Sequence, residues 1–135
     1  SRSVFVGEQT QKLMEANRVA TEALETAKAS MKQGVAASSV FKAGSSVIND
    51  ADIGYKQGRR IAYGIGTAFP PGWDEGDIFS INIDEPRPLL AGMCFHLITT
   101  MRVPGLGAIG CSDTVLVTDD GLETLTNQIK PGVQY

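Results

Sequence analysis

A single change of rhythm near residue 49 constrains this chain more than any other feature. Before it, apolar and small residues recur at threes and fours; after it, glycine, proline and β-branched residues dominate and the helical period is gone. Between 11 and 33 the recurring positions are Leu13, Ala16, Ala20, Ala23, Leu24, Ala27 and Met31, with Thr10 placed as N-cap and Gly34 as the stop. That spacing predicts one long amphipathic helix with a narrow seam of small residues. A second helix is predicted over 38–49, with Val40, Phe41, Gly44, Val47 and Ile48 on one face and Ser38 or Ser39 capping the start. Its Gly44 either weakens the helix or admits a neighbour closely.

Strands are predicted at 59–65, 78–83, 93–101 and 111–118, the last closed by the turn signal Asp119-Asp120-Gly121. Residues 1–7 read as the end of a strand, from β-branched Val4 and Val6 around Phe5 to Gly7. Gly105-Leu106-Gly107 reads as a turn between strands. Two helices followed by several strands predict an α+β fold, with two helices packed on one face of a mostly antiparallel sheet. No repeat or low-complexity tract interrupts it.

Composition narrows the function classes. At 135 residues with 42% hydrophobic and 20% charged content, the chain is a globular domain or part of one, not a disordered or fibrous chain. Lys plus Arg is 12 against 15 Asp plus Glu, a net charge of -3 without blocks, so no basic stripe points to nucleic acid. No apolar run approaches the roughly 20 residues that span a bilayer, and no signal-peptide layout is present, so no membrane partner is expected. Cys94 and Cys111 are too few for a disulfide scaffold and lack metal-finger spacing, which reads as free thiols in a cytoplasmic protein. The absent initiator Met and the interrupted first strand read as signs of a piece of a longer chain.

The catalytic inventory is thin. The one histidine, His96, lies mid-strand, where alternation places Cys94, His96, Ile98 and Thr100 on one face and Met93, Phe95, Leu97 and Thr99 on the other. Two readings stand for it: a hydrogen-bonded, half-buried residue, or a proton-transfer group that titrates near neutral pH. Gly64-Ile65-Gly66 lacks a third glycine at dinucleotide spacing and no Gly-Lys-Ser/Thr follows, so no phosphate cradle or cofactor is indicated. Asp74, Glu75 and Asp77 form an acidic cluster that either binds a metal or a substrate amine or is simply solvated.

Four segments, taken in register, resemble the creatinase, prolidase and methionine aminopeptidase superfamily. Ala62-Tyr63-Gly64-Ile65-Gly66 is similar to its Gly-His-Gly-Ile-Gly segment, and Leu90-Ala91-Gly92-Met93-Cys94-Phe95 to its Leu-x-Pro-Gly-Met-x-Phe segment. Ser112-Asp113-Thr114-Val115-Leu116-Val117-Thr118 with Gly121 is similar to Glu-Asp-Thr-x-Leu-Val-Thr-x-x-Gly, and residues 1–7 to the strand after the second metal-binding aspartate. The resemblance implies the C-terminal half of a pita-bread fold. It also implies a dinuclear metal site built from two Asp, one His and two Glu, at positions that this chain fills with Tyr63, Ile98 and Ser112 where the His and both Glu belong. The histidine that normally follows the glycine segment is replaced by Pro70. No metal is therefore expected here, since isoleucine cannot ligate and neutral tyrosine and serine hydroxyls ligate weakly.

A closer resemblance is to ectoine hydrolases, which carry Gly-Tyr-Ser-Ile-Gly, Pro-Pro-Asp-Trp-Gly-Glu and Gly-Met-Thr-Phe-His-Phe. This chain has Ala62-Tyr63-Gly64-Ile65-Gly66, Pro70-Pro71-Gly72-Trp73-Asp74-Glu75 and Gly92-Met93-Cys94-Phe95-His96-Leu97. It departs at Gly64 for Ser, Leu97 for Phe and Ser112 for Thr. The resemblance implies a metal-independent, creatinase-like hydrolase acting on a C–N bond of a small molecule such as a cyclic amidine, with an Xaa-Pro metallopeptidase or a non-catalytic binding relative as the alternatives. His96, about 6.5 to 7 Å along the strand from Ile98 and on its face, becomes the proton-transfer candidate, and Tyr63 a hydrogen-bond donor to a developing oxyanion. Trp73, Glu75 and Ser112 become substrate-binding candidates, the indole and carboxylate pairing with a cationic ring. An exposed pocket face in such a piece would favour self-association into a homo-oligomer.

Overall fold

A computed structural model describes residues 1–53, 58–68, 71, 72 and 74–126. Two helices, α1 (Gln11–Ser30) and α2 (Ala37–Asp50), precede five strands: β1 (Arg60–Gly64), β2 (Ser80–Asn82), β3 (Cys94–Val103), β4 (Gly107–Val117) and β5 (Leu122–Thr124). The strands form one sheet in the order β2-β1-β3-β4-β5, with every pairing antiparallel. Both helices lie on one face, α1 against β3 and β4 and α2 against β1 and β2. The α+β architecture expected from the change of rhythm is therefore the observed one.

Helix α1 starts where expected, with the Thr10 hydroxyl accepting a hydrogen bond from the Leu13 N–H at 3.3 Å. It ends at Ser30, earlier than the 11–33 reading, because Met31 turns extended and drops into the core. Gly34, at φ +84°, then makes the turn, and its N–H donates to the Leu89 carbonyl at 2.8 Å. The seam of Ala16, Val19, Ala20, Ala23, Leu24 and Ala27 is fully buried. Small side chains let the helix settle close to the sheet, where the Thr99 hydroxyl donates to the Ala20 carbonyl at 2.6 Å.

The start of α2 corrects the serine-cap expectation. Ala36 is the N-cap and makes no side-chain cap hydrogen bond. The orphan N–H groups of the first turn are satisfied instead by a neighbouring loop: Ala37 N–H donates to the Arg87 carbonyl at 3.0 Å and Ser38 N–H to the Glu85 carbonyl at 2.8 Å. Gly44 resolves toward close approach, since a Cβ there would collide with Ile61 Cδ1 and lie 3.0 Å from Ala27 Cβ.

Strand boundaries shift by a few residues from the expected ones. β2 shortens to Ser80–Asn82, and β4 begins at Gly107, directly after a turn in which Gly105 and Gly107 both take positive φ. The Asp119-Asp120-Gly121 turn forms, with Thr118 N–H donating to the Gly121 carbonyl at 3.0 Å, and leads into β5, which is too short to show a period in the sequence. Residues 1–5 run antiparallel beside β4 without becoming a regular strand. Ser112 N–H donates to the Ser1 carbonyl at 3.1 Å, the Ser3 hydroxyl bonds Gly110, and Phe5 is buried in the core.

Candidate active site

The helix-facing side of β3 carries Phe95, Leu97, Thr99, Met101 and Val103, all buried, while Cys94, His96, Ile98 and Thr100 face the other way and are half-buried. Among the described residues, no helix covers that second face. Register then assembles the site. Tyr63 on β1 is opposite His96, His96 is opposite Thr114 on β4, and Ile98 is opposite Ser112. Tyr63, Ile98 and Ser112, distant in sequence, thus meet on one open face around His96.

The imidazole of His96 is stacked on the Tyr63 ring, centroids 5.2 Å apart and planes 30° apart. The Arg60 guanidinium lies over the same phenol ring, 4.7 Å from its centroid. A register irregularity between Arg60 and Ala62 breaks the simple alternation of β1 and allows Arg60 and Tyr63 to meet although they are three residues apart. Burial pushes His96 below its ordinary value, with the Asp113 carboxylate opposing, so the imidazole is neutral around pH 7 and can accept a proton.

A cleft of about 550 Å³ opens beside this row, lined by Ser1, Arg2, His96, Ser112, Thr114, Leu125 and Thr126. Of the five residues singled out from the sequence, His96 and Ser112 line it and Tyr63 adjoins it through the ring stack. Glu75 sits elsewhere: its backbone N–H donates to the Gly64 carbonyl at 2.8 Å and its carboxylate accepts the Thr67 N–H at 3.1 Å, folding over Gly66. It braces the loop that follows β1. Asp74 belongs to the same brace, accepting the Gly76 N–H at 3.1 Å. Trp73 and Pro70 lie outside the described residues.

Behind the cleft is a charge cluster that local sequence patterns did not single out. Asp113, only 3% exposed, pairs with Arg2 and with Lys28 of α1 at 3.2 Å, and accepts the Thr126 hydroxyl at 3.0 Å. Burial pushes its carboxyl up, but hydrogen bonds from Arg2, Lys28 and Thr126 together outweigh it and hold the group below the usual carboxylate range. Arg2 also donates to the Ser112 carbonyl and to the Thr126 carbonyl. The cluster therefore fixes the back wall of the cleft. The only available signal was an acid inside an apolar strand, next to a residue already of interest.

The donor set around His96 is one imidazole, one phenol and the hydroxyls of Ser112 and Thr114 beside the aliphatic Ile98, with the Cys94 thiol and the Thr100 hydroxyl further along β3 on the same face. Among the described residues, no three His, Cys, Asp or Glu side chains are grouped so as to hold a metal ion, and none of the helices is long and apolar enough to cross a membrane.

Residues 1–119 match the family described as Metallopeptidase family M24. The chain is 29% identical over 130 residues to the Xaa-Pro dipeptidase of Lactobacillus delbrueckii subsp. lactis, covering 96% of this chain and 34% of that protein. It superposes on the X-Pro aminopeptidase of Thermotoga maritima MSB8 with a TM-score of 0.85 at 22% identity, covering 99% of this chain and 36% of that one. A dipeptidase from Pyrococcus horikoshii OT3 gives a TM-score of 0.84 at 25% identity, with 99% and 36% covered. The chain spans about a third of the length of the curated relatives it matches.

Proposed function

We propose, from the premise that the chain belongs to metallopeptidase family M24, that it is part of a hydrolase cleaving a C–N bond of a small molecule without the dinuclear metal the family name implies. One observation carries this reading: Ile98 pairs directly with Ser112 beside His96, at the positions where the resemblance implies metal-binding glutamates. A hard divalent cation needs oxygen anions, and an aliphatic side chain opposite a hydroxyl supplies none. The donor set of this face does not fit such a site.

Hydrolysis then falls to protein groups. A neutral His96 in the cleft is suited to take a proton from an attacking water and return it to the departing nitrogen. Tyr63, held by its stack on His96, is the proposed hydrogen-bond donor to charge developing on the substrate, and Ser112 a contact in the cleft wall. Trp73, which lies outside the described residues, and Glu75 are the proposed contacts for a cationic ring, and Glu75 would have to release the Thr67 N–H to make one. The proposed substrate class is an ectoine-type cyclic amidine or a related small C–N compound.

A second reading has its own support. The relatives named above are Xaa-Pro peptidases and a dipeptidase, which favours peptide cleavage. Metal analysis and a substrate screen of the full-length protein separate the two. Turnover of ectoine, a creatine analogue or another cyclic C–N compound in chelator-treated, metal-free protein supports the first. Two stoichiometric metal ions with chelator-sensitive Xaa-Pro cleavage would overturn it. Turnover of none of these compounds points to a binding protein.

A further inference from the structure

One row of polar side chains crosses three strands of the open face: Tyr63 on β1, His96 on β3 and Thr114 on β4. Both backbone groups of Thr114 point away from β3. Its N–H donates to the Thr126 hydroxyl at 2.9 Å and its carbonyl accepts the Leu125 N–H at 2.8 Å. His96 and Thr114 therefore form a non-hydrogen-bonded pair, the kind in which cross-strand side chains approach most closely, with Cβ atoms about 4.5–5.5 Å apart. Both are half-buried and both line the cleft.

The other polar groups of the cleft are engaged. Arg2 holds the Ser112 carbonyl, the Thr126 carbonyl and Asp113; the Thr126 hydroxyl holds Thr114 N–H and Asp113; and the Ser112 hydroxyl donates to Ser1 Oγ at 3.2 Å. Among the described residues, neither the ring nitrogens of His96 nor the hydroxyl of Thr114 has a hydrogen-bond partner. Half-buried polar atoms left in this state are costly unless water or a ligand completes them.

We propose that Thr114 is a substrate-binding residue that acts with His96, the two side by side holding the planar N–C–O or N–C–N group whose C–N bond is broken. A neutral imidazole presents one N–H and one bare nitrogen, and a hydroxyl both donates and accepts. Two such neighbours complement a planar group with adjacent heteroatoms. A carboxylate would enter a cleft whose one guanidinium is already committed to Asp113 and two carbonyls, and would lose its hydration without gaining a cation. The ligand class is therefore a neutral amide or a cationic amidinium rather than an anion, the bare imidazole nitrogen and the hydroxyl oxygen accepting from its N–H groups. This assignment rests on reading the open face as the substrate site and narrows the chemistry of that site.

The test uses acetamide as the probe and acetate as its charged counterpart, titrated into the full-length protein while the His96 ring and Thr114 methyl NMR signals are followed. The His96→Gln variant assigns the former. The expected result is a saturable acetamide response at both residues that acetate does not produce, weakened at least tenfold in Thr114→Val and kept within about threefold in Thr114→Ser. No response at His96, an equal response to acetate, an unchanged Thr114→Val, or equal loss in both variants would each overturn the assignment. Acetamide binding in a protein that turns over no C–N substrate would leave Thr114 in place and remove the hydrolase reading instead.

Discussion

The His96 imidazole lies stacked on the Tyr63 ring with centroids 5.2 Å apart, a contact between adjacent strands whose other sides face an uncovered cleft and a guanidinium. The stack fixes the orientation of the single histidine before any substrate arrives. Removing the Tyr63 ring should release it. Tyr63→Ala is expected to destabilise the fold by about 0.5–1.5 kcal/mol beyond the lost burial. Tyr63→Phe should keep the stack and the stability while lowering turnover through the lost hydroxyl. Urea unfolding and steady-state rates on the two variants check both statements.

Proton transfer by His96 sets a second expectation. In the full-length enzyme, His96→Ala should lower turnover by about 10²–10⁴-fold while the folded structure persists, because the side chain is only half-buried and makes no protein hydrogen bond among the described residues. Rates and circular dichroism on the same preparation decide it. Unchanged turnover removes the role.

Asp113 anchors a third expectation, about stability. It is 3% exposed and pairs with both Arg2 and Lys28, so Asp113→Ala removes the carboxylate from Arg2 and leaves Lys28 with only the exposed Glu25. A loss of about 3–5 kcal/mol is expected in urea unfolding. Lys28→Met should cost much less, because Arg2 still pairs with the carboxylate.

Stability should fall with acid in two separable steps. His96 is held below its ordinary value of 6.5 by burial, so just under that pH the unfolded chain binds more protons than the folded one. Stability is therefore full above the ordinary value and declines as pH drops toward the folded one. Asp113, also held low, contributes above the ordinary carboxylate range and loses that contribution as pH falls through its folded value. In unfolding midpoints measured across pH, His96→Gln should erase the upper step, and Asp113→Asn should shrink the lower one, to which Glu85, held low by Arg87, also contributes.

Gly44→Ala tests the helix packing. Alanine favours the helix by about 0.5–1 kcal/mol. Against that, the new Cβ meets Ile61 Cδ1, Ala27 Cβ at 3.0 Å and the Ala23 carbonyl at 3.3 Å, and overpacking of this kind costs about 1–3 kcal/mol. A net destabilisation is expected in thermal unfolding. A rise in the melting temperature would show that α2 moves freely relative to α1 and β1.

Much of the architecture was legible because it depends on local periods. Ala16, Ala20, Ala23 and Ala27 mark one helical face wherever the helix docks, and Thr10 caps α1 through an atom three residues away. Alternation along β3 placed His96 and Ile98 together for the same reason. What failed was governed by distant partners. The Ser38 or Ser39 cap gave way to carbonyls of Glu85 and Arg87, and β5 formed only because β4 offered it an edge.

By itself, the sequence determined two helices and a strand-rich remainder, because short spacing carries that information, and residue identity puts no carboxylate at Ile98 or Ser112, the positions where the resemblance implies one. Only the tertiary structure decided that Tyr63, His96 and Thr114 form one row and that Arg2 and Lys28 converge on Asp113 behind it. Strand register depends on which residues pair across long loops, and the compensation of a buried charge depends on whatever else is buried beside it. Neither quantity has a local signature in the chain.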